Sequence, residues 1–140
     1  MFGKDKHKQP PVNTLVGADA RVLGDIEFTG GCLVDGRVKG NIRAVGQGKS
    51  MLSVSERGTV EGTVRAPHIL LNGTVHGDVF ATGRIELGPK SRVIGNVQYK
   101  LIEMSIGAEV NGQLIHETEE PIQRTSPEKS PSVPVKAVGE

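Results

Sequence analysis

One short phrase occurs six times in about a hundred residues of this sequence, and it constrains the fold more than any other feature. It consists of an apolar residue, any residue, glycine, any residue and a second apolar residue. Its copies occupy residues 22–26, 38–42, 60–64, 75–79, 93–97 and 110–114. Successive copies begin 15 to 22 residues apart. A repeat of this length, built from strand-type residues, indicates a solenoid in which structural repeats stack along one axis.

The residues within each copy alternate with the period of two that is typical of a β-strand. The first, third and fifth positions are apolar, glycine and apolar, whereas ten of the twelve residues at the second and fourth positions are polar or charged. We expect the first set to face a narrow core and the second to face solvent. Glycine at the third position is expected to leave room for side chains from the other faces, and to permit sharp corners.

The pattern predicts an all-β protein, a single-stranded parallel β-helix of about six rungs over residues 15–116. Residues 1–14 and 117–140 lack the repeat, and the second segment contains four of the eight prolines. Both segments are therefore predicted to be disordered tails. An antiparallel β-sandwich is the alternative fold, because hairpins also give short strands separated by glycine-containing turns.

Composition narrows the classes of function. The formal net charge is +1 and the chain has three Phe, one Tyr and no Trp, so neither charge nor stacking aromatics favour nucleic-acid binding. The single cysteine, Cys32, excludes an intramolecular disulfide and fits a reducing compartment. No apolar run approaches the ~18 residues that a membrane helix needs. These features indicate a cytoplasmic protein, or one bound to the cytoplasmic face of a membrane.

Residue spacing predicts no catalytic, cofactor-binding or metal site. None of the four histidines belongs to a metal-ligand motif, and Cys32 has no activating partner nearby in sequence. Residues 46–50, Gly-Gln-Gly-Lys-Ser, lack the first glycine and the following helix of a phosphate-binding loop, and we interpret them as a flexible corner. We therefore expect a protein that is not an enzyme and that needs no cofactor.

One enzyme class remains as an alternative, the acyltransferases with a left-handed hexapeptide-type β-helix. Their coils also contain about 18 residues and few aromatics, but inward aliphatic residues recur strictly every six residues. The uneven spacing of 15 to 22 residues argues against that class.

The two ends of the coil are the strongest candidates for a functional site, because both flanks run into proline-containing polar tails and neither supplies a cap. An uncapped end exposes unpaired N–H and C=O groups beside an apolar cross-section. We hypothesise that the ends stack on neighbouring subunits and polymerise. The predicted interface comprises seven residues: Leu15, Val22, Ile26, Phe28, Val110, Leu114 and Ile115. Tails that fold back over the ends, which would leave a monomer, are the alternative.

The N-terminal tail combines an apolar tip with basic side chains, a combination that suits an anionic membrane surface at about 1 kcal/mol per basic residue. The predicted membrane-binding residues are Met1, Phe2, Lys4, Lys6 and Lys8. One tail would bind weakly, but a polymer displays many tails at once. A solvated tail without a partner is the alternative. The proline-rich C-terminal tail is interpreted either as a motif for a partner protein or as a spacer.

Taken together, the repeats, the Met-Phe-Gly-Lys-Asp-Lys start, the proline-rich flanks and the Gly-Asn-Val-Gln-Tyr run at residues 95–99 resemble a bactofilin, a bacterial cytoskeletal protein. The resemblance covers residues 15–116. It implies a right-handed β-helix with a triangular core that polymerises end to end, without nucleotide, into non-polar filaments. It also implies recruitment to the inner face of the cytoplasmic membrane, with roles in cell shape or in localising cell-wall enzymes or other proteins.

Overall fold

Short β-strands make up the described part of the chain, residues 12–46 and 49–117 of a computed structural model, and no helix occurs within it. The strands are β1 Val12–Val16, β2 Arg21–Leu23, β3 Ile26–Phe28, β4 Gly31–Val34, β5 Arg37–Lys39, β6 Ile42–Ala44, β7 Met51–Val54, β8 Thr59–Glu61, β9 Val64–Leu71, β10 Thr74–His76, β11 Val79–Leu87, β12 Arg92–Ile94, β13 Val97–Met104, β14 Glu109–Asn111 and β15 Leu114–His116.

These strands wind into six rungs with three sides each. The strands β1, β2 and β3 form the first rung, and β4, β5 and β6 form the second. Three strands, β9, β11 and β13, are 8 or 9 residues long because each turns a corner and serves two rungs in succession. In β9, for example, Val64 pairs with β6 and Ile69 pairs with β7. The sixth rung consists of the second half of β13 with β14 and β15.

Stacking of equivalent strands creates three faces along the coil. Face 1 contains β1, β4, β7 and the second halves of β9, β11 and β13; face 2 contains β2, β5, β8, β10, β12 and β14; face 3 contains β3, β6, the first halves of the three long strands and β15. Every pairing is parallel. The predicted all-β parallel solenoid of about six rungs is therefore confirmed, and the antiparallel sandwich is wrong. The right-handed winding stays a prediction.

The core consists of apolar columns in which each side chain lies directly over its equivalent in the rung before. On face 2 the column contains only valine, namely Val22, Val38, Val60, Val75, Val93 and Val110. From the second rung to the fifth, these valines are at most 1% exposed. Neighbouring rungs lie about 4.8 Å apart, so branched aliphatic side chains fill the narrow channel without aromatic residues.

A glycine of each repeat occupies the corner between faces 2 and 3. These glycines have φ angles between +134° and +157° at residues 24, 40, 62, 77, 95 and 112, which L-residues with a Cβ rarely adopt. A Cβ built on Gly77 would lie 2.2 Å from the carbonyl oxygen of Gly62, in the rung before. The prediction that glycine permits a corner is confirmed. The prediction that it makes room inside the core is wrong, because the missing side chain would point along the coil toward the preceding rung.

The strands begin and end close to the predicted limits of the repeat region. β1 starts at Val12, three residues before the predicted domain start, and β15 ends at His116. The irregular segment between β6 and β7 contains Gln47 and Gly48, which lie outside the described residues. The expectations for residues 1–11 and 118–140, including the disorder of both tails, also lie outside the described part of the chain.

Candidate functional site

Exposed apolar side chains concentrate at the two ends of the coil. The large hydrophobic residues with strong exposure in the described ranges are Val12, Leu15, Leu23, Ile94, Leu101, Met104, Ile106 and Leu114. All of them except Ile94 belong to the first or the sixth rung. Apolar patches on a protein surface commonly mark interaction sites, so the ends are the first place to look for one.

The C-terminal end face, formed by the sixth rung, leaves the core columns uncovered. Leu114 lies directly over Val97, yet Val97 is fully buried whereas Leu114 is 44% exposed. Met104 lies over Leu87 in the same way, with exposures of 45% and 1%. The difference arises because no further rung lies over these side chains within residues 12–46 and 49–117. The last rung therefore presents the apolar cross-section of the coil.

The N-terminal end face, formed by the first rung, is more closed. Phe28 occupies the position that Ala44 occupies in the second rung, and its larger side chain is only 3% exposed. Val16 is likewise 5% exposed, whereas Val22 and Ile26 are half-buried. Phe28 thus fills the base of the core, and the partly open surface at this end comes from the columns of faces 2 and 3.

Backbone groups at both ends lack a rung to pair with in the described structure. Along the coil, Gly24 and Gly95 donate their N–H groups to the carbonyls of Lys39 and Asn111 in the next rung. By the same register, the N–H group of Gly112 in the sixth rung points off the C-terminal end. Unpaired strand edges of this kind are templates for adding another strand. Continuation of the ladder into a second subunit would satisfy these groups.

A ladder of side-chain oxygens runs beside the corner glycines. The Oδ1 atom of Asp25 accepts a hydrogen bond from the backbone N–H of Asn41, at 2.9 Å. The same contact recurs between later rungs, from Thr63 N to Asn41 Oδ1, from Asn96 N to Asp78 Oδ1 and from Gln113 N to Asn96 Oδ1. Sequence reasoning placed these polar residues on the solvent side but missed the ladder. The sequence feature that could have indicated this ladder is the recurrence of Asp or Asn directly after the corner glycine.

The structure divides the seven predicted interface residues between two environments. Five lie in columns that point into the core, and they are Val22, Ile26, Phe28, Val110 and Leu114. The other two point away from it. Leu15 stands in the outward column of Leu33 on face 1, and Ile115 stands in the outward column of Gln98 on face 3. The predicted membrane-binding residues, Met1, Phe2, Lys4, Lys6 and Lys8, lie outside the described residues.

Away from the two ends of the coil, the described residues do not bring reactive or metal-binding side chains together. Among them, no group of three His, Cys, Asp or Glu side chains could hold a metal ion. Cys32 lies inside the core with 1% exposure, and burial raises the pKa of its thiol to about 11. A buried thiol of this kind stays protonated near neutral pH and is a poor nucleophile. His116 stacks against Tyr99 with ring centroids 5.4 Å apart, in a structural contact at the last rung.

Comparison with known proteins finds relatives of this chain. The described residues form strands and no helix, so they contain no helical segment that could span a membrane. Bactofilin BacO of Myxococcus xanthus (strain DK1622) is 28% identical over 102 residues, which are 73% of this chain and 78% of BacO. Bactofilin BacP of the same organism is 27% identical over 102 residues, and the match spans 41% of BacP. No solved structure matches the chain.

A family model covers nearly the whole coil. It is the model of bactofilins, described as polymer-forming cytoskeletal proteins, and it matches residues 14–115. This range coincides with the six rungs, from the middle of β1 to the middle of β15. The chain therefore belongs to the bactofilin family.

Proposed function

We propose that this protein is a cytoskeletal scaffold that polymerises end to end, without nucleotide, into non-polar filaments at the cytoplasmic membrane. Such filaments would support cell shape or localise cell-wall enzymes or other proteins, which would bind through the tails. The observation that carries the proposal is the apolar C-terminal end face, where core columns buried in the fifth rung become exposed in the sixth. Membership of a polymer-forming family supports it.

The hydrogen-bonding groups of the ends are compatible with a non-polar filament. In the first rung, Val16 and Ala20 use their carbonyls and Gly24 uses its N–H toward the second rung. Because bonds run in both directions between rungs, each end also offers both donors and acceptors outward. Each end face can therefore pair either with the same end face of another subunit or with the opposite one. A filament without polarity requires that like end faces pair.

The direct experiment is negative-stain electron microscopy of the purified full chain at moderate salt without added nucleotide. Long thin filaments are the expected result. Uniform small particles, with the mass of a monomer or trimer by light scattering, would contradict the proposal. A trimer in particular would favour the hexapeptide-type acyltransferase, whose sites lie between subunits.

Leu114→Arg is expected to abolish filaments while leaving the coil folded. The side chain lies on the C-terminal end face, and a junction there would bury an unpaired charge. Such burial costs about 3–5 kcal/mol, which should raise the critical concentration for polymerisation by at least about 100-fold. Pelleting assays over a concentration series measure this value.

Gln113→Arg is the matched control, because Gln113 is the exposed neighbour of Leu114 and only its backbone N–H takes part in the corner ladder, donating to Oδ1 of Asn96, while its side chain stands outside the core column. It should polymerise nearly as the wild type does. Circular dichroism should show the same strand content for both variants. If Leu114→Arg forms filaments at the protein concentrations at which the wild type does, the assignment of Leu114 to the junction is wrong.

We also propose that the N-terminal tail holds the polymer on the inner face of the cytoplasmic membrane. Deletion of residues 1–8 is expected to abolish flotation of polymers with vesicles of mixed neutral and anionic lipids. In the full chain, Lys4, Lys6 and Lys8 contribute about 1 kcal/mol each near such a surface, so substitution of the three by glutamine should weaken flotation strongly. Vesicles of neutral lipid alone are the control. Undiminished binding after the deletion would contradict a role for the tail.

A further inference from the structure

A groove runs along the outside of face 3, from the third rung to the sixth, and its volume is about 210 Å³. Its lining includes Arg65, Phe80, Thr82, Gln98, Lys100 and Glu117. Arg65, Phe80 and Gln98 follow one another in the outward column of this face. Thr82, Lys100 and Glu117 each follow directly after a face 3 segment, at the corner with face 1. The groove therefore reaches the last described residue of the chain, Glu117.

The groove carries a positive charge that nothing in the described ranges neutralises. The guanidinium carbon of Arg65 lies 4.8 Å from the centroid of the Phe80 ring, so this side chain reaches from the third rung to the fourth. Among residues 12–46 and 49–117, no carboxylate pairs with Arg65. Lys100 adds a second cation to the lining and Glu117 adds one anion. An aromatic face attracts one side of a guanidinium and leaves its N–H edge open to a carboxylate.

The chain leaves the coil at the edge of this groove. Glu117 donates its backbone N–H to the carbonyl of Tyr99 at 2.7 Å, and the Nε2 atom of His116 lies 3.1 Å from the carbonyl oxygen of Lys100. These contacts fix the point from which the chain continues. The guanidinium of Arg65 lies at the level of the fourth rung, two rungs or about 10 Å away. An extended chain covers that distance in about three residues.

The sequence directly after Glu117 matches the groove in charge and in reach. It reads Thr118, Glu119, Glu120 and Pro121. Pro121 favours an extended conformation at the residue before it. Side chains two residues apart in an extended chain point the same way, so Thr118 and Glu120 would face the groove together. The third residue after Glu117 is thus a glutamate, at the distance where the unpaired guanidinium lies.

We infer that residues 118–120 dock in this groove of their own subunit, where the carboxylate of Glu120 pairs with the guanidinium of Arg65. An arginine and a carboxylate can form two parallel hydrogen bonds, and the short connection keeps the effective concentration of the segment high. The docked segment runs from the sixth rung back toward the fourth, away from the C-terminal end face. That end face then stays open to another subunit. The inference goes beyond the proposed polymerisation and does not depend on it.

Arg65→Glu tests the docking, with a protease that cleaves after glutamate as the probe. Cleavage requires the segment to leave the groove. In the full chain, the Glu119–Glu120 bond is expected to be cut at least about fivefold faster in Arg65→Glu than in the wild type, because repulsion replaces the ion pair. The Glu128–Lys129 bond lies further along the tail and should be cut equally fast in both. Mass spectrometry of the fragments measures the two rates. Unchanged cleavage after Glu119 would overturn the docking.

Arg37→Glu is the matched control. Arg37 is also an exposed outward arginine, and none of the described carboxylates pairs with it, but it stands on face 2. This variant should cleave after Glu119 as the wild type does. An acceleration as large as that of Arg65→Glu would mean that the charge of the whole coil, rather than the groove, protects the segment, and would also overturn the docking.

A charge swap gives a second measurement that a simple loss of folding cannot imitate. Glu120→Arg and the double variant Arg65→Glu with Glu120→Arg contain the same bond after Glu119, so their rates compare directly. The double variant is expected to be cut at least about fivefold more slowly, because the pair is restored with its charges exchanged. Circular dichroism should show equal strand content in both. Equal cleavage rates would contradict the Arg65–Glu120 pair.

The Leu114→Arg background separates docking within one subunit from docking between subunits. Under the proposed function this variant does not polymerise, yet the addition of Arg65→Glu should accelerate cleavage after Glu119 by the same factor as in the wild type. Loss of this acceleration would assign the segment to the groove of a neighbouring subunit and overturn the inference. Absence of filaments from the wild type, with the dependence on Arg65 preserved, would overturn the proposed function and support docking within one subunit.

Discussion

Gly77→Ala is expected to lower the free energy of unfolding by more than about 3 kcal/mol. The backbone at Gly77 has a φ angle of +149°, which costs about 1–3 kcal/mol for a residue with a Cβ. In addition, the new Cβ would lie 2.2 Å from the carbonyl oxygen of Gly62. That oxygen belongs to the stacked backbone of the rung before and can move only if the ladder opens. Urea unfolding followed by circular dichroism measures the loss.

Gly24→Ala separates the two parts of this effect. Gly24 occupies the same corner in the first rung with a φ angle of +134°, but a Cβ there would meet nothing within 4 Å. Only the backbone strain remains, so a loss of about 1–2 kcal/mol is expected. Equal losses for Gly24→Ala and Gly77→Ala would mean that strain alone, rather than contact between rungs, requires glycine at the corners. Both variants should be compared with wild type at one protein concentration, because self-association adds to apparent stability.

Ile85→Ala is expected to cost about 3 kcal/mol of stability. Ile85 is fully buried in the fifth rung, between Ile69 and Ile102 in the same column. Truncation removes apolar contact with both neighbouring rungs and leaves a cavity, and such substitutions cost about 2–5 kcal/mol. The stacked backbone ladder holds the rungs at a fixed spacing, so the cavity cannot collapse easily. The measurement is again the free energy of unfolding in urea.

Ile106→Ala is the control with the same change of side chain. Ile106 lies in a turn of the sixth rung and is 98% exposed. Its truncation should change stability by less than about 0.5 kcal/mol. A loss at Ile106 as large as that at Ile85 would show that this exposed residue is covered in the species being unfolded, as it would be within a polymer junction.

Most of the fold could be predicted from the sequence because the signal is local. The period of two within Val75–Val79 assigns inward and outward positions without knowledge of any other rung. The repeat of the same phrase then implies that equivalent valines stack, and the register of Val75 with Val60 and Val93 confirms this. The absence of caps beside the repeats directed attention to the ends, where most of the strongly exposed apolar residues lie.

The candidate site was predicted less completely, because it depends on the direction of single side chains. Leu15 and Ile115 are apolar residues of the end rungs, yet both point outward, away from the core columns of Val16 and Leu114 beside them. In a strand, a shift of one residue moves a side chain to the opposite face. The apolar character of a residue in an end rung therefore shows which rung it belongs to. It does not show whether the side chain faces the core or the outer surface.

The sequence by itself determined the number of rungs, the strand character and the apolar columns, since each is encoded within a few consecutive residues. Only the tertiary structure decided which contacts join one rung to the next. From the second rung onward, the corner glycine is required by a carbonyl 15 to 22 residues earlier in the chain, and the Oδ1 ladder joins residues 16 to 22 apart. Such contacts exist only after the coil has closed and brought those residues within a few ångströms.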